Sequence, residues 1–298
     1  MSSPNLPIRN GVSASRCRVI PGQWQNLLHF LTLRFPDVGV DVWRQRLQDG
    51  LVSNELGTTL HAETSVQAGD MICYYREVPE EEVLHQGNID IIYEDANLLV
   101  VDKPHLVPVM PAGRFLRESL LVRLRQQTGI TDLAPLHRLD RDTAGLVMCA
   151  KHIGSRDAYA ALFRQRSIDK IYEVVAPHRD LIWPYTHTSL LVAGEPFFRV
   201  REVPGVANSE TKITLLKRLG DNSLYQAEPV TGRKHQLRVH FASLGMPILF
   251  DRCYPELHDQ PDDPAQALQL LARSLRFIDP FSGREQYFKS RLSLSSAT

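Results

Sequence analysis

From residue 89 onward the chain is a succession of strand-like runs with a single clear helix among them, and this pattern limits the folds open to it. Residues 89–95 (IDIIYED) and 97–104 (NLLVVDKP) predict a two-strand hairpin, its second arm a continuous apolar run closed by Lys103-Pro104. Residues 145–151 (GLVMCAK) read as a buried strand, 155–166 as an amphipathic helix with Ala158, Ala161 and Leu162 inward, and 170–176 (KIYEVVA) as another strand. Further strands are expected at 186–192, 209–217, 223–229, 235–241 and 275–278. A doubly wound parallel sheet needs a helical crossover after nearly every strand. The pattern therefore predicts an α+β fold with a mixed, largely antiparallel sheet flanked by helices.

The first third has a different texture. Residues 24–35 (WQNLLHFLTLRF) put Leu27, Leu28, Leu31 and Phe35 at helical spacing, and a second short helix over 42–47 ends at Asp49-Gly50. Strand-like pieces follow at 51–54, 58–60 and 69–75, so a small α+β unit is expected. The acidic, turn-rich stretch 79–88 (PEEEVLHQGN) marks a boundary. The expected organisation is a flexible tail (1–20), a small domain (21–78), a linker (79–88) and a large domain (89–298). Residues 256–264 (ELHDQPDDP) read as an exposed acidic loop.

Composition removes several classes of function. With 43% hydrophobic residues in 298, a sizeable core is possible without staples. There is no run of about 18 apolar residues, and the opening MSSPNLPIRNGVSAS lacks both a basic and an apolar signal region, so a cytoplasmic protein without a membrane span is expected. Cys17, Cys73, Cys149 and Cys253 are far apart, without a C-x-x-C pair, which argues against zinc and disulfides and for reduced thiols. Lys plus Arg balances Asp plus Glu at 34 each, yet residues 137–241 hold 16 basic and 11 acidic side chains. That middle permits phosphate binding without demonstrating it.

The densest chemical signal is Leu136-His137-Arg138-Leu139-Asp140-Arg141-Asp142-Thr143-Ala144-Gly145-Leu146, charges squeezed between Pro135 and a buried strand. Taken alone, it could be a loop in which Asp140 and Asp142 merely pair with Arg138 and Arg141. Further segments weigh against that reading. HRLDRDTAGL resembles the signature of the RluA-type pseudouridine synthases, in which the Asp of H-R-L-D is catalytic. IYEDANLLVVDKP (92–104) resembles their opening hairpin, Lys170-Ile171-Tyr172 their K-x-Y strand, and TGRKHQLRVH (231–240) with LGMPI (244–248) their T-G-R-x-H-Q-[IL]-R-V-H segment. Four motifs stand in the right order, over about residues 90–290.

The resemblance implies an RNA-modifying isomerase that turns uridine into pseudouridine, with no metal and no cofactor, acting on rRNA or tRNA as a monomer. The chemistry breaks an N-glycosidic bond, turns the uracil and joins its carbon 5 to the ribose. A carboxylate can start this as nucleophile or proton acceptor, and a fixed cation beside it favours its ionised form. The resemblance gives that role to Asp140 and makes Arg238 its partner. It makes Tyr172 the residue that stacks on uracil and removes the carbon-5 proton. A stacked base must leave its stack first, and Arg138 resembles the arginine that fills the vacated space. Arg141, Arg233 and Lys234 are candidate RNA contacts, while His137 and His235 read as hydrogen-bonding scaffold at the RNA-binding surface; with His240 they are not read as a metal triad.

Residues 23–78 are similar to a small RNA-binding domain named after a small-subunit ribosomal protein, although the second helix has only Arg44 and Arg46 as cations. In the large domain Ala144 stands where the family usually has Ser, Phe250 where Gly precedes Asp251, and Leu271 where His often precedes Ala272. Two rival readings are a catalytically silent RNA-binding protein of the same fold and a magnesium-dependent phosphotransferase. The second rests on the D-x-D-x-T-like Asp140-Arg141-Asp142-Thr143, but that motif belongs at the end of an apolar strand, and here it follows Pro135-Leu136-His137-Arg138-Leu139.

Overall fold

The computed structural model describes residues 6–76 and 81–297, so the first part of the expected tail and residues 79 and 80 of the expected linker lie outside the described residues. Two compact units emerge, one of residues 1–81 with 113–117, the other of 82–112 with 118–298.

The smaller unit contains β1 (Ser15–Arg18), α1 (Leu27–Arg34), α2 (Val40–Gln48), β2 (Val52–Asn54) and β3 (Met71–Tyr74), its strands antiparallel in the order β1-β3-β2. Asn26 caps α1 by accepting the His29 N–H at 2.9 Å. Leu27, Phe30 and Leu31 of α1 and Trp43 and Leu47 of α2 are buried against Val52, Ile72 and Tyr74 of the sheet. Two expectations need correction. The stretch taken as a flexible tail contributes β1, because Cys17 and Val19 alternate with Arg16 and Arg18 and turn inward. Residues 58–60 make one isolated bridge, Ser53 to Thr59, instead of a strand.

The larger unit contains β4 (Asp90–Glu94), β5 (Leu98–Lys103), α3 (Leu120–Thr128), β6 (Ala134–Pro135), β7 (Ala144–Ala150), α4 (Ile153–Arg164), β8 (Asp169–Pro177), β9 (Tyr185–Ala193), β10 (Val200–Val203), β11 (Ser209–Leu219), β12 (Asn222–Pro229), α5 (Gln236–Ser243), β13 (Leu270–Ile278) and β14 (Glu285–Lys289). The strands form one sheet, ordered β10-β9-β11-β12-β8-β13-β7-β5-β4, with β14 on β13 and β6 on β7. Every pairing among them is antiparallel except β13 with β7. The mixed, largely antiparallel sheet is therefore as expected. At the parallel junction Leu271 and Ala272 lie against Ala144 and Gly145. Gly145 has φ +110, and a Cβ there would sit 2.3 Å from the Ala272 carbonyl oxygen. Only glycine permits this close approach.

Residues 235–241, expected as a strand, form α5 instead. Leu237, Val239 and Phe241 alternate with Gln236, Arg238 and His240, but all six are buried, so the polar members face protein rather than solvent. A period of two in sequence then no longer reports a half-exposed strand. In α4 the buried positions are Ser155 and Tyr159, with Ala158 and Ala161 only half-buried. Helix α3 and strands β10 and β14 were not foreseen.

Candidate active site

The loop from β6 to β7 delivers Leu136 to Thr143 onto the middle of the sheet, and its shape is fixed by buried groups on either side. His137 accepts the Met148 backbone N–H at Nε2 (3.1 Å) and stacks on Phe163 with ring centroids 4.7 Å apart. Burial, aided by the Lys170 charge, lowers its pKa to about 3, which keeps the acceptor nitrogen unprotonated. Lys103, at the end of β5, is fully buried and donates to the carbonyls of Pro104 (2.9 Å), Val107 (2.8 Å) and Arg141 (2.9 Å). Burial lowers its pKa to about 7 against the pull of Asp142 and Asp140. The lysine thus ties the charged loop to the opening hairpin, a role that the sequence did not show because Lys103 read only as a strand end.

Asp140 is partly exposed, its side chain at 29%, and faces Arg238 of α5, whose Nη1 lies 3.6 Å from Oδ2. Arg238 is only 3% exposed and makes its tighter bonds elsewhere: Nε and Nη2 donate to the two oxygens of Asp251 at 2.8 and 2.7 Å. A bidentate fork of this kind fixes the plane of the guanidinium. Burial opposes the arginine's charge, but the hydrogen bonds and charge of Asp251 outweigh it and raise its pKa. Asp251 was not among the expected site residues, and the signal for it was only its place after Phe250. His235, at φ +53 before α5, puts Nε2 3.8 Å from Asp140 Oδ1 and bonds the Tyr254 hydroxyl through Nδ1 at 2.8 Å. Burial lowers its pKa against the pull of Asp140.

Tyr172 lies in the middle of β8, opposite Ala227 of β12 and Ala272 of β13. Directly opposed residues share a face, so the ring has an alanine on each side, and it packs against the apolar clusters of both halves of the sheet. Burial and the Asp140 carboxylate both raise the phenol's pKa, so at neutral pH it is protonated. Its hydroxyl makes no hydrogen bond among the described residues.

The remaining expected cations separate into two kinds. Arg138, Arg233 and Lys234 are exposed; Arg233 also donates to the Asn208 carbonyl at 3.1 Å. Arg141 is instead held within the protein, with Nη1 and Nη2 on Asp262 at 2.7 and 2.6 Å and Nε on Asp142 at 3.2 Å. Arg252 adds a second guanidinium to Asp262 at 2.6 Å. Residues 256–264 are therefore not simply an exposed acidic loop. Despite burial, the two arginines hold the Asp262 carboxyl well below its usual range.

Among the described residues, one group of side chains has metal-ligand character: His187, Glu202 and His240, with ligand atoms all within 4.8 Å of one another. Both ring nitrogens of His240 are already within 3.1 Å of the hydroxyls of Ser189, Ser209 and Thr211, and His187 bonds Glu202 at 2.9 Å. The cluster is thus a satisfied hydrogen-bond network. The thiols of Cys17, Cys73 and Cys149 are buried and free.

The departures from the family pattern acquire physical meaning here. Ala144 and Leu271 are partners across the β7/β13 junction and share an apolar cluster with Val175 and Leu294, so an apolar pair stands at the two positions where the resemblance led one to expect Ser and His. Phe250 has φ +60, the region that suits glycine.

Residues 97–243 match the family described as RNA pseudouridylate synthase. An uncharacterized RNA pseudouridine synthase of Synechocystis is 30% identical over 76% of this chain and 79% of its own length. Ribosomal large subunit pseudouridine synthase C of Vibrio cholerae is 32% identical over 65% of this chain, and the chain spans 63% of that protein. The mouse pseudouridylate synthase RPUSD2 is 35% identical over 56% of this chain, which spans only 30% of it. The solved structure of human RNA pseudouridylate synthase domain containing 1 shares the fold, with a TM-score of 0.57 at 22% identity over 72% of this chain and 96% of that one.

Proposed function

Because the chain belongs to the RNA pseudouridylate synthase family, in its RluA-type branch, we propose that Asp140 starts the isomerisation of particular uridines in rRNA or tRNA. The observation that carries this reading is a partly exposed carboxylate set 3.6 Å from a guanidinium that a second carboxylate, Asp251, holds rigid. Such preorganisation costs no rearrangement when charge shifts on the sugar. Asp140 acts on the ribose or on the base to open the N-glycosidic bond, Tyr172 stacks on the freed uracil, and carbon 5 then bonds to the ribose. One proton must finally leave carbon 5. A protonated phenol can accept it only by giving up its own, and Asp140, whose charge already acts on that phenol, is the group suited to receive it; one proton must then return to the N1 that the broken glycosidic bond left bare, which restores the carboxylate. Arg138 fills the space of the extruded base. Arg233 and Lys234 bind backbone, and the enzyme acts as a monomer in the cytoplasm.

The substrate class is supported by the Vibrio cholerae relative, named for the ribosomal large subunit, and by a Saccharomyces cerevisiae relative, 28% identical over 78% of this chain and 51% of its own length, named tRNA pseudouridine(32) synthase. Mapping pseudouridines in total rRNA and tRNA from cells with and without the gene tests it. A uridine modified only when the gene is present is the expected result; unchanged maps would overturn the reading. Tyr172→Phe isolates the last step. It keeps the aromatic face, so RNA should bind normally while tritium release from carbon-5-labelled uridine slows by roughly 100- to 10,000-fold, the worth of a general base. Equal rates would reduce Tyr172 to a stacking platform.

A further inference from the structure

A cavity of about 310 Å³ opens beside the catalytic carboxylate's support, walled by Leu106, Phe250 and Leu268, with Asp142, Arg252 and Asp263 among its polar groups. Two of its walls are non-glycine residues with left-handed backbone, Leu106 at φ +64 and Phe250 at φ +60. The backbone around Phe250 has no freedom to relax: the Leu249 N–H donates to Val175, the Leu249 carbonyl accepts from Gln269, and the Asp251 N–H donates to Ile248. An aromatic ring is thus held in a conformation that glycine would adopt without strain, and it remains 40% exposed. Asp251 and Asp142 line the same cavity, and both lie against Arg238, the partner of Asp140, at 2.7 and 3.8 Å.

We propose that this cavity takes a second unstacked nucleobase of the substrate RNA, a close neighbour of the target uridine in the strand, with its face on Phe250. The inference rests on the reading that Asp140 handles the target uridine. Single-stranded bases are commonly held on aromatic faces, and the volume and apolar walls suit one planar ring. Asp142 and Asp263 on the lining accept from N–H groups and repel carbonyl oxygens, so the cavity favours a base with an exocyclic amino group (adenine, cytosine or guanine) over uracil, whose one N–H donor lies between two carbonyls. Phe250 is then a specificity-determining residue and not a catalytic one.

The test uses an RNA fragment carrying the uridine whose modification depends on the gene, together with versions in which each of the flanking nucleotides is made abasic or replaced by uridine. Phe250→Gly relieves backbone strain, so its thermal stability should equal or exceed that of the wild type. Its kcat/KM on the intact fragment should fall about 5- to 150-fold, the worth of one stacked base, mostly through KM. For the wild type, one flanking position should show the same loss when abasic and a loss when uridine. In Phe250→Gly, making that position abasic should cost nothing more. Unchanged kinetics in the variant, or losses that multiply, would overturn the proposal. Equal rates with uridine at that position would overturn the amino-group preference. Asp140→Asn on the same fragments separates the two levels: turnover there would refute the underlying reading, whereas its absence combined with normal Phe250→Gly kinetics would refute only the pocket.

Discussion

The two units solve the problem of burial in opposite ways. In the smaller, the interior is mainly apolar and aromatic, with Trp43 5.2 Å from Tyr74 and 5.6 Å from Phe35 between ring centroids and the buried Arg46 lying over the Trp43 ring, while an ion pair such as Arg44–Asp41 stays outside at 55% and 88% exposure. In the larger, the middle of the sheet is crossed by charge: Lys103, Arg238, Asp251 and Asp262 are buried or nearly so and satisfy one another or backbone carbonyls. An apolar core tolerates small changes of shape. A buried charge network does not, because each member left alone is an uncompensated ion.

That contrast can be attacked first through glycine. Gly145→Ala must push a methyl into the Ala272 backbone at 2.3 Å and should cost about 4 kcal/mol or more, or prevent folding. Gly39→Ala in the smaller unit, where the nearest atom to a new Cβ is Val42 Cγ2 at 4.0 Å, should cost about 1 kcal/mol or less. Urea denaturation of both variants checks this, and similar losses would dissolve the distinction. Next in size come the ion pairs. Arg238→Ala leaves Asp251 buried without its fork, and about 3–5 kcal/mol of stability should go with it, along with most turnover. Arg44→Ala breaks an exposed pair and should change stability by no more than about 1 kcal/mol.

The smallest effect concerns RNA. Lys234, proposed to hold backbone, is exposed, whereas Arg141 is clamped by Asp262 and Asp142, so Lys234→Ala should lower the slope of log affinity against log salt by about 0.7–0.9, the share of one phosphate contact. In the smaller unit Arg46 lies over the Trp43 ring, 5.0 Å from its centroid, and Arg44 is paired with Asp41. Arg44→Ala should therefore leave the slope unchanged. A slope that moves equally in both variants would give the smaller unit a share of RNA binding.

The same contrast explains what could be read from the sequence. Apolar periodicity reported α1, α2, β5, β7 and β8 within a few residues, because their partners are simply other apolar faces. It failed at α5, whose polar positions face inward, and at β1, a short strand in a polar stretch. The motifs brought Asp140, Arg238 and Tyr172 into view through resemblance. They did not reveal that Asp251 is the closer partner of Arg238, nor that Asp262 lies 121 residues from the Arg141 it binds. Ion pairs and buried hydrogen bonds between distant segments leave no local pattern, so Lys103, Asp251 and Asp262 needed the fold to be seen.

The central claim is that Asp140 performs the chemistry while Arg238, Asp251 and the surrounding loop only hold it in place. The most direct measurement is tritium release from carbon-5-labelled RNA by Asp140→Asn, with RNA binding and thermal stability followed in the same preparation. The substitution removes the charge with little change in volume, and among the described residues the cations facing the partly exposed side chain, Arg238 and His235, stand off at 3.6 and 3.8 Å. Release should fall to background while binding and stability persist. Substantial turnover in that variant would contradict the account.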